Sequence, residues 1–104
     1  MNKYIAYYKK NVDFEKLPKT LSANYFFSAF VPVEVLAAKN LDEVYSKMQS
    51  DVWSPNGEMR DFIRILGLTH TSMSIGDVIY SIREDKFYGV DVFGFSELLL
   101  TRPI

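Results

Sequence analysis

The sequence predicts an α+β domain, a small, mainly antiparallel sheet with two helices packed on one face. Three observations predict it. One segment near the middle carries a capped, amphipathic helix. A later segment alternates as a hairpin should. Aromatic and β-branched runs flank both, giving the order β-β-α-α-β-β, which suits helices laid on a sheet.

Each element has its own grounds. Lys3 to Lys9, rich in Tyr around Ile5, reads as a strand. Asn11 to Ser22 is a polar connection containing Pro18, with a single helical turn expected around Phe14 to Leu17. Tyr25 to Ala37 is the longest apolar stretch and reads as a second strand. Pro32 lies inside it and lacks the N–H of a central strand, which points to an edge or a bulge. Asn40 then caps a helix, with Asp42 and Glu43 at its positive end and Glu43 spaced for a capping box. Leu41, Val44, Tyr45 and Met48 form its apolar stripe.

A break at Asp51 to Pro55 precedes a second helix expected to start at Ser54-Pro55, Ser as cap and Pro in the first helical position. Met59, Phe62, Ile63 and Leu66 are its stripe, and Gly67 its left-handed terminator. Arg60, Asp61 and Arg64 fall off that stripe and read as a solvated face. Asp77 to Arg83 and Lys86 to Phe93 form the hairpin, reversing at Glu84-Asp85-Lys86. Gly89 and Gly94 mark a close approach or a bulge. Phe95 to Leu100 fits a short helix or a last strand equally well.

Composition limits what the chain can be. At 104 residues it is read as one domain, 1–104, able to bury about two-thirds of its unfolded surface. Hydrophobic residues are 48% and charged residues 24%, ordinary globular proportions. A net charge of −1, from 12 basic and 13 acidic residues, gives no electrostatic case for duplex nucleic acid or an anionic membrane. The absence of cysteine excludes disulfides, thiolate zinc sites and a cysteine nucleophile. Met1 to Lys10 is too short and polar for a signal peptide, and no apolar run spans a bilayer, so a cytoplasmic location is expected.

The segment richest in chemistry is Leu66 to Ile79. Ser74-Ile75-Gly76-Asp77 fits a type II turn, with Gly at the positive-φ position. The hydroxyls of Thr69, Thr71, Ser72 and Ser74, with the Asp77 carboxylate, suit local bonds to backbone amides. The competing reading turns His70, Ser72 and Ser74 outward toward a partner or ligand. His70 is the only histidine, so no His pair can hold a metal, and no metal or cofactor site is expected. A hydrolase built from Ser72 or Ser74, His70 and Asp77 lacks a nucleophile elbow and an oxyanion-hole glycine pair. No catalytic residues are assigned.

Trp53, beside Ser54-Pro55-Asn56-Gly57, reads as a hydrophobic staple or as an interface anchor. The binding set expected from sequence is therefore Trp53, Asn56, His70, Thr71, Ser72, Ser74 and Asp77. It joins the loop to the two ends of the second helix. An alternative is a small-ligand or nucleotide-binding domain whose Ser/Thr-rich loop receives an anion on the amides near Gly76.

Four stretches also carry a family resemblance: Asn40 to Tyr45, Trp53 to Glu58, His70 to Ile79, and Phe93-Gly94-Phe95. Together they resemble small bacteriophage-encoded proteins with an H-T-S-M-S-V-G-D-V block, here with Ile75 at the Val position. The block is similar to the S-M-S-V-x-D-V segment of YodL-like domains. The resemblance spans Asn40 to Phe95 and brings no activity, cofactor or catalytic residue with it. It implies an accessory protein in an infected bacterial cytoplasm, non-enzymatic and binding a host or phage protein.

Overall fold

In a computed structural model, residues 1–102 are described, and they form an α+β fold around one mixed sheet. The strands are β1 (Asn2–Lys9), β2 (Thr20–Ser22), β3 (Phe30–Ala38), β4 (Val78–Ser81), β5 (Lys86–Val90) and β6 (Phe95–Thr101). The helices are α1 (Ala23–Ala29), α2 (Leu41–Lys47), α3 (Ser50–Trp53) and α4 (Arg60–Ile65). The strand order is β2-β6-β5-β4-β1-β3. All pairings are antiparallel except that of β2 with β6.

The period-2 alternation of the strands separates two cores. From β1, Tyr4, Ala6 and Tyr8 enter one cluster with Val44 and Met48 of the α2 stripe, Ile63 of α4, and Met73 and Ile79. Tyr7, of opposite parity, joins Phe26, Phe30, Val78 and Leu98 in the other. Helices thus contribute to both clusters, and two helices on one face is too simple a description of this layering. The extra helix is α1, from the front half of the run expected to be strand from Tyr25 to Ala37. Ser22 accepts from the Tyr25 amide at 3.1 Å as its cap. Phe26 and Phe30, one helical turn apart, stack at 4.7 Å inside the second core. An apolar run this short carries no periodicity that distinguishes helix from strand.

The back half of that run is β3, at the sheet edge. Ala6 pairs with Glu34 and Tyr7 with Pro32, so Val33 is an unpaired bulge beside the proline. The edge is also blunted by side chains. The Val35 amide donates to its neighbour's Glu34 carboxylate at 3.1 Å, and Lys47 donates to the Ala37 carbonyl at 2.9 Å.

Helix α2 follows its sequence signals: Asn40 Oδ1 accepts from the Glu43 amide at 2.9 Å. Glu43 itself reaches back to the Lys39 amide, one residue before the cap, at 3.2 Å. Burying Val44 and Met48 stabilises the layer by about 1.5–3 kcal/mol each. The break expected at Asp51 to Pro55 contains the short helix α3, and α4 starts only at Arg60. Ser54 is therefore not the cap: Met59 holds that position without a side-chain cap bond, and the Ser54 hydroxyl accepts from the Met59 amide at 2.9 Å. Gly67 ends α4 at φ +77°.

The N-terminal connection has no helical turn at Phe14 to Leu17; Phe14 adopts φ +56°. This connection straps across the sheet instead. Its Lys19 carbonyl accepts from the Leu99 amide at 2.9 Å, and Leu17 lies against Gly89, where a Cβ would sit 3.4 Å from its methyl. Phe95 to Leu100 is a strand, and the turn before it presents Phe93 at 94% exposure.

These burials set a direct test. Phe26→Ala should cost about 3–5 kcal/mol in chemical denaturation, while Phe93→Ala should stay within about 0.5 kcal/mol. Equal losses would contradict the division between second core and exposed turn.

Candidate functional site

The loop from Thr69 to Asp77 lies over the end of β1 and against α3, and its organising group is the Asp77 carboxylate. Asp77 is 1% exposed. Its Oδ1 accepts from the Lys9 amide at 2.9 Å. Its Oδ2 accepts from the Ser74 amide and meets His70 Nε2, both at 2.8 Å. A carboxylate so deeply buried is tolerable only with such donors, and each charge-assisted bond is worth about 1.5–3 kcal/mol. The turn expected from sequence is present: the Asp77 amide donates to the Ser74 carbonyl at 3.0 Å with Gly76 at φ +93°. Glycine is doubly required there, because a Cβ would lie 2.9 Å from the Glu15 carbonyl oxygen of the strap.

His70 is held on two sides and unpartnered on the third. Nε2 faces Asp77, the ring stacks on Tyr8 at 4.6 Å and 16°, and Nδ1 is buried without a partner. The Tyr8 hydroxyl donates to the Thr71 carbonyl at 2.7 Å, with the Met48 carbonyl at 3.2 Å. Burial, and then the nearby Asp77 carboxylate, push the Tyr8 phenol upward, so it remains a donor throughout the neutral range. Trp53 Nε1 donates to the same Thr71 carbonyl at 3.0 Å, and its ring meets Tyr8 edge-on at 6.3 Å. The loop is thereby anchored to α3 and to the first core.

The hydroxyls are arranged around backbone as well. Ser72 Oγ accepts from the Ser50 amide at 2.9 Å, at the start of α3. Ser74 Oγ donates to the Ser72 carbonyl at 3.1 Å. Neither serine hydroxyl bonds to His70, so the Ser-His contact of a hydrolase is not made. The amides near Gly76 are not an anion nest either. Gly76 N–H donates to the Val90 carbonyl, and the Ser74 and Asp77 amides are spent as described.

Of the residues expected to form one binding set, the fold gathers Asn56, His70, Thr71 and Ser72 around a recess of about 520 Å3. Ser74 and Asp77 are not among its lining residues, and neither is Trp53. The recess also takes Ser50, Ser54 and Arg60, which sequence reasoning left out of the set. Arg60 fell on a solvated helix face in the pattern, and it is exposed, but the late start of α4 brings its guanidinium over Gly57. A Cβ on Gly57, whose φ is +79°, would sit 3.0 Å from an Arg60 nitrogen. The Gly after Asn56 was the available signal, since such a turn lets a later side chain fold back. No group of three or more His, Asp or Glu suited to a metal occurs among the described residues.

Comparison with protein-family models, curated proteins and solved structures returns no match. No helix among the described residues is long and apolar enough to cross a membrane.

Structural and peripheral polar groups of the loop differ in what their removal costs. Asp77→Ala strips partners from three donors and should destabilise the fold by about 3–5 kcal/mol. Thr69→Ala, at an exposed position, should change stability by no more than about 0.5 kcal/mol. Thermal and denaturant unfolding of both variants measures this, and a tolerant Asp77→Ala would sink the assignment.

Proposed function

We propose that this chain is a small non-enzymatic accessory protein that binds and modulates a partner protein, and that it does so inside a phage-infected bacterial cell. The observation that carries the reading is the recess itself. Asn56, from the turn before α4, and Thr71 and Ser72, from the loop, meet on one concave surface, while the polar groups beneath it are locked in place. A surface fixed in this way loses little conformational entropy when a partner docks. The likeness to phage-encoded proteins supports the cellular setting. Serine hydroxyls directed at backbone rather than at His70 favour binding over catalysis.

A second reading, a small-ligand domain, is favoured by the same recess, whose polar lining could receive a ligand without any protein partner. Its receptor would be the side chains of the recess and not the amides near Gly76.

The rigid residues are poor choices for testing either reading, because His70 and Trp53 variants would disturb the loop. Asn56 is exposed and suits the purpose. A partner recovered from bacterial lysate by the tagged wild-type chain should be lost with Asn56→Arg and kept with Phe93→Ala. Recovery that ignores the Asn56 change would remove the recess from the contact surface.

A further inference from the structure

We infer that the recess is a seat for an oxyanion, a phosphate or a carboxylate, gripped by Arg60. The inference rests on the recess being the binding surface and names the chemistry it accepts.

Four observations carry it. First, Arg60 lines the recess, and among the described residues no carboxylate lies within ion-pair distance of its guanidinium. Its helix neighbour Arg64, by contrast, faces Asp61 at 3.6 Å. Second, the guanidinium lies over the Gly57 turn, 3.0 Å from where a Cβ would stand there, and none of its N–H donors is committed to a protein acceptor among the described residues. A guanidinium presents paired N–H donors that match the two oxygens of a carboxylate or phosphate.

Third, the lining includes no Asp or Glu. Of the acids next to lining residues in sequence, Asp51, Glu58 and Asp61, none lines the recess; Glu58 accepts from the Asn56 amide at 3.0 Å and Asp61 faces Arg64. Fourth, two serines of the recess have hydroxyl protons to give. Ser54, 6% exposed, accepts from the Met59 amide, and Ser72 accepts from the Ser50 amide. Each hydroxyl accepts one bond, and its own proton, free to rotate, has no protein acceptor among the described residues. A buried O–H without an acceptor is costly, and an anion's oxygen would supply one. One unpaired cation, two hydroxyls with a proton to give and no acid in the lining is the chemistry of an oxyanion site.

The oxyanion has two possible sources, a small phosphorylated molecule or an acidic side chain of the bound protein. Both are tested by NMR on the 15N-labelled full chain. It is titrated with inorganic phosphate, with adenosine monophosphate and with a short polyglutamate peptide, at an ionic strength held constant with chloride. At least one probe should give saturable amide shifts centred on Ser54, Gly57, Arg60 and Ser72. Arg60→Gln, with an otherwise unchanged spectrum, should weaken that binding by about tenfold or more, while Arg64→Gln should leave it within about twofold.

Shifts with phosphate and the nucleotide alone assign the site to a small molecule. Shifts with the peptide alone assign it to an acidic protein segment. No saturable shift with any probe, or shifts that survive Arg60→Gln, would overturn the inference. The broader reading fails separately. A protein partner lost with Asn56→Arg but held normally by Arg60→Gln would leave the binding surface standing without the oxyanion seat. Phosphate binding with no protein partner would do the reverse.

Discussion

A single buried carboxylate holds together parts of this chain that are far apart in sequence. Asp77 begins the hairpin of β4 and β5, yet its two oxygens bond the Lys9 amide at the end of β1, the Ser74 amide of the preceding loop, and His70. Its own carbonyl accepts from the Val90 amide at 2.8 Å, which ties the end of β5 to the same point. The charge is affordable in so dry a position because every neighbour is a donor. His70 fixed in this way becomes the plate on which Tyr8 stacks. Tyr8 and Trp53 then hold the Thr71 carbonyl, and the loop has one conformation left to it.

That constraint decides which residues are available for binding. A Ser/Thr-rich loop around a lone histidine invites a functional reading, but most of its polar atoms are occupied in making the loop. Unspent capacity lies on the neighbouring surface, where the loop meets the turn between α3 and α4. There the groups without a full set of partners are Arg60, the hydroxyl protons of Ser54 and Ser72, and His70 Nδ1. The loop's contribution is to hold the wall of the recess still.

Much of the fold was legible because its signals are local. The α2 stripe with its Asn40 cap, the turn at Gly76, and the bulged edge at Pro32 all rest on residues within a few positions of one another. The segment Tyr25 to Ala29, expected as strand, is helical; a few aromatic residues in a row carry no period that separates the two. The Ser22 cap and the Phe26–Phe30 spacing were the signals that could have shown the helix. The start of α4 lies later than the Ser54-Pro55 pair suggests, since Pro55 opens a turn instead of a helix and the Ser54 hydroxyl meets the Met59 amide beyond that turn. The parallel pairing of β2 with β6 and the Lys9–Asp77 bond span most of the chain and leave no local trace. The place of Arg60 in the site depends on all of these, so a pattern of charges along one helix could not reveal it.

The central claim is that Asp77 welds the loop to the sheet, and amide hydrogen exchange reads this bond by bond. If the claim is right, the Lys9 and Ser74 amides exchange only as fast as the molecule unfolds globally, alongside the interior amides of β1 and β4. If Ser74 exchanges on the timescale of an open loop, as fast as the exposed Thr69, the loop is not fixed by Asp77 and the account of the site fails.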